Sequence, residues 1–225
     1  MPWPTLAQQV FEMIKEGTWN SFSSHPQPDG AQYMEPYNML LPSLFPEFIM
    51  NHRFFPYVDT QELSEETVPP DVIPSFLIMA PEFAPVFLLM IADPRGLGTS
   101  AIRALADEQI RARMREVAPE CPIPVLHAVS AMGTRLAFYR MENTSGGGDS
   151  ATNGDVIVPH PPEGNAAVPA EHWVCDILEK EGEDLLRAVV QEIKDCCETL
   201  RLAAQMETNA AWLESVCVKM SLSPA

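Results

Sequence analysis

Asp93-Pro94-Arg95-Gly96-Leu97-Gly98-Thr99-Ser100 is the stretch in which residue types and spacing come nearest to a ligand site. Glycines that follow a strand and open a helix can leave backbone N–H groups free for a phosphate. The lysine of a Walker loop is missing and Ala101 occupies the third glycine position of a dinucleotide fingerprint, so an ordinary turn capped by Thr99 or Ser100 is the stronger reading. His127 and Ser130 suggest a hydrolase pair by type alone. Three residues apart on one strand they face opposite sides, and no G-x-S-x-G elbow surrounds the serine. The five cysteines, Cys121, Cys175, Cys196, Cys197 and Cys217, form no C-x-x-C pair and have no histidine at metal-ligand spacing. They read as free thiols of a reducing compartment, neither a disulfide framework nor a zinc site. His25, His52, His160 and His172 are dispersed and receive no role.

The elements that must position these groups follow from hydrophobic spacing. Ser75–Met79 and Val86–Ala92 are short apolar runs separated by a Pro-rich turn, which predicts two buried strands. Ile102, Leu105, Ala106, Ile110, Met114 and Val117 recur every three or four positions, so Ser100–Val117 is an amphipathic helix able to lie on the sheet. Pro124–Val129 and Arg135–Met141 are two further strands joined by a turn at Ala131–Thr134. Strand, strand, helix, strand, strand is an α/β core. Before it, Thr5 caps a helix whose face is Leu6, Val10, Phe11 and Ile14 and which Gly17 ends. Thr18–Gly30 reads as a loop, the segment holding Pro36, Pro42 and Pro46 as short broken helical pieces, and His52–Val58 as an edge strand. Thr60–Pro74 reads as an exposed connection. After the core, a Gly- and Pro-rich mobile insertion is followed, from Pro169, by a long amphipathic helix carrying Trp173, Ile177, Leu186, Val189 and Ile193, bent at Gly182. A final helical turn surrounds Trp212, Leu213 and Val216. The expected organisation is therefore an N-terminal helix and loop over 1–30, a core over 31–142, the insertion over 143–168 and C-terminal helices packing on the core over 169–225.

Four blocks resemble a family of uncharacterised fungal proteins of basidiomycete type: EPYNMLLPSLFP (Glu35–Pro46), SFLIMAPEFAPVFLLMIADP (Ser75–Pro94), ADEQIRARMREVAPECPIPVLHAVSAMGTRLAFYRM (Ala106–Met141) and HWVCDILEKEGEDLLRAVVQEIK (His172–Lys194). That family is similar to the restriction-endonuclease-like, PD-(D/E)XK nuclease superfamily. The likeness covers roughly residues 31–200 without the Gly-rich insertion. It implies a restriction-endonuclease-like core, a mixed central sheet of about four to five strands flanked by helices, with a long C-terminal helix.

The resemblance also implies a chemical demand. In such a nuclease an Asp at the start of one strand and a Glu on the next hold Mg²⁺, and a Lys two residues after the Glu helps to activate or orient the attacking water. This sequence departs at each position: Ser75 stands where the Asp is implied, and Met90 and Ala92 stand where the Glu and Lys are. A register moved by one gives Ile91 and Asp93, which do not supply the pair either. A hydroxyl, a thioether and a methyl group offer no charged oxygen to a hard cation. Asp93 is the salvage candidate for a metal ligand, with Glu35 or Asp107 as a second carboxylate; its competing role is a cap on the turn at Pro94. The same resemblance sets the Ala106–Arg113 helix beside a cleft, making Gln109, Arg111 and Arg113 candidate phosphate or nucleic-acid contacts. Their competing role is an exposed helix face with an Asp107–Arg111 ion pair at i, i+4.

Charge bounds the partners. With 14 basic and 31 acidic side chains the chain carries −17, which opposes general polyanion binding. Arg95 to Arg140 is the exception, with seven basic against four acidic residues, a local +3 that leaves −20 elsewhere. The N-terminus has no basic start followed by an apolar run, and the longest apolar run, Val86–Ala92, is far shorter than a membrane span. The expectation is an intracellular protein, cytoplasmic or nuclear, not secreted and not in a membrane. Its expected function is a non-catalytic, nuclease-like scaffold that meets a protein partner and needs no cofactor. The alternative is a Mg²⁺-dependent phosphodiesterase with a displaced or vestigial site, and nucleotide or small-molecule binding at Gly96–Ser100 ranks last.

Overall fold

The computed structural model describes residues 5–19, 30–56, 72–81, 84–142, 156–161 and 168–221, with side chains as far as Trp212 and without those of 55, 56 and 72. Five strands of eight residues carry the core: β1 (Ile49–Pro56), β2 (Val72–Met79), β3 (Pro85–Ala92), β4 (Val125–Met132) and β5 (Arg135–Glu142). Two-residue strands β6 (Ile157–Val158) and β7 (Cys175–Asp176) both pair with β5. The helices are α1 (Thr5–Lys15), α2 (Met34–Leu44), α3 (Ser100–Val117) and α4 (Lys180–Ser221).

The sheet order is β1-β2-β3-β4-β5-β6. β1, β2 and β3 form an antiparallel meander, β3 and β4 run parallel, and β4 and β5 are antiparallel again. A parallel pair cannot be joined by a tight turn, and α3 supplies the crossover. β3 lies at the centre and is buried from Pro85 to Ile91, as a run of Val, Phe, Leu, Met and Ile between two layers of helix should be. Gly133, at φ +65°, turns β4 into β5.

Alternation along the strands assigns the helices to two faces. Phe87 meets Phe45 at the end of α2 with ring centroids 5.6 Å apart, and its parallel neighbour His127 approaches Glu192 of α4. Phe11 of α1 packs edge-on to Tyr37 of α2 at 4.9 Å. So α1, α2 and α4 cover one face. The other belongs to α3, because Tyr139, paired with Ala128, donates to Asp107 of α3.

Several expectations need correction. Among the described residues the sheet has seven strands, and the two short ones fall where an insertion and a helix were expected. Trp173 and Ile177 are both buried, but residues four apart share a face in extended chain as well as in a helix, and the helix begins only at Lys180. Of the expected insertion, 156–161 is described and β6 within it is tied to Arg140 and Met141; the Gly-rich part lies outside the described residues. α2 is one unbroken helix: Pro36 falls in its first turn, where the N–H has no helical partner to lose, and Pro42 in its last. β2 begins three residues before Ser75, and its ladder with β3 starts only after Pro74, which has no N–H to give. Most of the loop over 18–30, the end of the expected strand at Val58 and the connection before Asp71 lie outside the described residues.

Candidate functional site

Register brings together the three positions at which the resemblance implies metal-site residues. Ser75 pairs directly with Met90, Met90 pairs with Ser130 of β4, and Ala92 lies two residues along the same face of β3, which is the face covered by α3. Ser75 is wholly buried and its hydroxyl donates to the carbonyl of Ile73 at 3.3 Å; Met90 is buried too. Geometry here would suit a pair of carboxylates on adjacent strands. The donor set does not suit a cation: a buried hydroxyl already donating to backbone, a thioether and a methyl offer no charge against the cost of dehydrating Mg²⁺.

Asp93, the salvage candidate, is occupied by its own turn. Its Oδ1 accepts from the Arg95 backbone N–H at 2.9 Å, and both oxygens accept from the Arg95 guanidinium, at 3.0 Å from Nε to Oδ2 and 2.7 Å from Nη2 to Oδ2. It is the N-cap of a 3-10 turn, Pro94–Gly98. The Gly-rich loop is equally committed. The N–H of Gly96 donates to Asp93 O, that of Thr99 to Gly96 O, and a Cβ on Gly96 would stand 2.5 Å from the Ile102 side chain. Thr99 precedes α3 without a side-chain cap bond. These amides point into the protein, not toward a phosphate.

Ligands of open α/β sheets usually sit beyond the carboxyl ends of parallel strands. In this molecule the space beyond Ala92 and Met132 is filled. Tyr37 Oη donates to Gly133 O at 2.9 Å, a Cβ on Gly133 would lie 2.9 Å from Pro94, and a Cβ on Gly30 would come within 3.2 Å of the Ala92–Asp93 backbone. Desolvation of the Tyr37 phenol, with the charge of Asp176 second, holds its pKa well above the ordinary value.

The α3 side chains expected at a cleft point inward. Gln109 is completely buried, Arg111 is 4% exposed and Arg113 is 9% exposed. Arg111 forks onto Asp107, 2.7 Å from Nε to Oδ2 and 3.0 Å from Nη2 to Oδ1, then donates to Ile157 O at 3.3 Å and Pro159 O at 2.7 Å, and lies over the Tyr139 ring. Arg113 pairs with Glu116. The Asp107–Arg111 pair is therefore a buried clamp that holds β6 to α3, not a feature of an exposed face. Asp107 completes a chain: Tyr139 Oη donates to its Oδ1 at 2.9 Å, and His172 Nε2 lies 3.0 Å from Tyr139 Oη. An ionised Asp107 can only accept, so Tyr139 gives it the phenolic proton and His172 must be the Nε2–H donor to Tyr139. Burial, with Asp107 second, raises the Tyr139 pKa far above the phenol range; burial is also the leading cause of the lowered His172 pKa.

His127 and Ser130 face opposite sides of β4. His127 Nε2 is 3.3 Å from Glu192 Oε1, near enough for charge attraction yet not aligned as a hydrogen bond. A further hub was not legible in the sequence. Asp176, buried in β7, accepts from Lys15 at 3.0 Å, Thr134 at 2.9 Å and the Leu178 N–H at 3.0 Å, joining α1, the β4–β5 turn and the approach to α4. Its signal was a lone carboxylate within Trp173–Leu178, an otherwise apolar run.

Among the described residues, no group of three or more His, Cys, Asp or Glu side chains is placed to hold a metal ion, and no helix is long and apolar enough to cross a membrane. A groove of about 650 Å³ lies at the other end of β3, between α4 and the β2–β3 turn, lined by Phe48, Pro81, Pro122, Cys197, Leu200 and Ala204 among others. Its wall lies about 20 Å from Met90 along the strand. Comparison with protein-family models, with curated proteins and with solved structures finds no match for this chain.

Proposed function

We propose that the chain is a non-catalytic, nuclease-like scaffold that acts as a protein-interaction module. The observation that carries this reading is the row Ser75, Met90 and Ala92: adjacent paired strands without a carboxylate or a lysine, with Gly30 packed against the carboxyl end of β3 and Tyr37 against the neighbouring turn at Gly133. The mixed α/β architecture is consistent with the resemblance and does not by itself distinguish it from other mixed sheets.

The arginine-rich region also speaks for a non-enzymatic role. Arg95, Arg103, Arg111, Arg113 and Arg135 donate respectively to Asp93, Val168 O, Asp107, Glu116 and Trp173 O. Five of the seven basic residues of this region thus bond within the chain, while Arg115 and Arg140 are exposed, and the −17 of the whole chain remains to repel a polyanion. Calorimetric titration of Mn²⁺ and Mg²⁺ into the pure protein tests the reading. It calls for no saturable heat; a stoichiometric site that disappears in Asp93→Ala would overturn it in favour of a rebuilt metal centre.

A further inference from the structure

β6 meets the fold in the way a bound peptide would. It is two residues long and pairs antiparallel with the C-terminal part of β5, Ile157 with Met141 and Val158 with Arg140. Alternation sends Ile157 to the α3 side of the sheet, where it is 3% exposed, and Val158 to the other side, where it is 43% exposed. Arg111 reaches over from α3 and donates to Ile157 O through Nη1 at 3.3 Å and to Pro159 O through Nη2 at 2.7 Å. Arg103 and Arg135 take Val168 O and Trp173 O in the same manner, guanidinium to backbone carbonyl. In the sequence, the only Val, Ile, Leu, Met, Phe, Tyr or Trp residues between Glu142 and Val168 are Val156, Ile157 and Val158.

We propose that the edge of β5 beside Arg111 is a strand-addition site for an extended segment of a protein partner, an aliphatic residue followed two residues on by proline, and that Ile157-Val158-Pro159 is its occupant in cis. The proposal rests on the reading of the chain as an interaction module and adds the chemistry of the partner. Strand addition takes its affinity from main-chain hydrogen bonds and its selectivity from alternate side chains. Both are present here: the ladder to β5 and the bonds from Arg111 go to backbone, and the inward side chain, Ile157, is the buried one. Exchange of the occupant leaves the rest of the sheet whole. β6 is the last strand of its edge, and β4 and β5 pair along their full length without it, from Val125 with Glu142 to Met132 with Arg135.

The donors of Arg111 select the shape of the occupant. Its Nε and Nη2 fork onto Asp107, which also accepts from Tyr139, and the remaining guanidinium protons need acceptors in a site where Arg111 is 4% exposed. Carbonyls two residues apart along an extended chain supply them. A helix has already spent its carbonyls on its own N–H groups, and a nucleic acid meets the −17 of the whole chain. The side chains follow from the strand. Burial on the α3 side asks for an aliphatic residue at the place of Ile157, exposure leaves the next position open, and proline at the place of Pro159 brings no N–H that would need a partner where the ladder ends.

Fluorescence anisotropy of a labelled peptide with the sequence of residues 154–161, titrated with the full chain as wild type and as Ile157→Asp, tests the proposal. The variant has lost the anchor of its own occupant and should bind the peptide saturably, about ten-fold or more tighter than the wild type, whose edge is open only while β6 is away from it. A peptide carrying the same Ile157→Asp change should bind neither protein. No saturable binding to the folded variant would overturn the proposal, as would equal binding to both proteins or indifference to the change in the peptide. Should Ile157→Asp fail to fold, amide hydrogen exchange of the wild type decides: Ile157 and Val158 should exchange about 100-fold faster than the centre of β4, and equal protection would mean that β6 opens only with the whole sheet. Sedimentation of the wild type identifies the competing occupant, since a dimer that the free peptide dissociates would put β6 of a second copy on the edge and overturn the assignment in cis. Peptide binding together with a saturable Mn²⁺ site would defeat the scaffold reading and leave the strand site standing; no peptide binding and no Mn²⁺ uptake would do the reverse.

Discussion

Among the described residues, His172 and His127 are histidines whose ionisation is disfavoured by the fold. His172 faces Asp107, Arg111 and Tyr139, and His127 faces Glu192 and Arg140. Burial is the leading cause in both cases and it lowers both pKa values from 6.5, so the folded state favours the neutral rings. The sign follows from linkage: the unfolded chain takes up these protons first, so their contribution is complete above about pH 6.5 and is lost as pH falls through the lower folded values. The midpoint of thermal unfolding should therefore drop between about pH 7.5 and about pH 5.5, and His127→Gln with His172→Gln should drop less than the wild type. Gln at 172 can still donate to Tyr139, so the comparison isolates the proton from the hydrogen bond. Equal losses in the two proteins would remove the histidines from the account and leave the carboxylates responsible.

Gly182 shows how an element can be limited by a contact that helix rules do not include. Alanine is favoured over glycine within a helix by about 1 kcal/mol, and position 182 lies in the first turn of α4. Yet a Cβ there would stand 2.1 Å from the Asp176 carbonyl oxygen, backbone that cannot swing aside. Gly182→Ala should consequently destabilise the protein by about 1–3 kcal/mol in denaturant unfolding; a neutral or stabilising result would mean that the start of α4 is not seated on β7. The sequence suggested a bend at this glycine, and close approach is its role instead. Strands β2 to β5 were legible as short apolar runs bounded by turn residues, and α3 by its three- and four-residue apolar period. β6 and β7 were not, since two residues carry no period and they are held by distant partners: Arg111 donates to Ile157 O, 46 residues on, and Asp176 accepts from Thr134, 42 residues back. The candidate site was legible in part: alternation sets Met90 and Ala92 on one face, but their link to Ser75 came only from the resemblance, and the inward turn of Gln109, Arg111 and Arg113 required the position of β6.

Taken whole, the molecule separates two surfaces with different chemistry. A sheet closed at its carboxyl end offers no described opening beside Ser75, Met90 and Ala92, while the 42-residue α4 is exposed from Glu198 to Trp212. On the proposed reading the sheet is the support and partner contact falls elsewhere on the surface, away from that row. The burial of Ser75 and Met90 also means that restoring carboxylates there would put charge into the core, at a cost of several kcal/mol unless a cation entered with it. The most direct test of the claim that this scaffold is not an enzyme is cleavage itself. The pure protein is incubated with short single- and double-stranded DNA and RNA in Mg²⁺ or Mn²⁺, and the products are resolved on a denaturing gel. The account predicts substrates of unchanged length at every metal concentration; metal-dependent fragments that vanish in Asp93→Ala would contradict it and return the turn at Asp93 to the role of an active site.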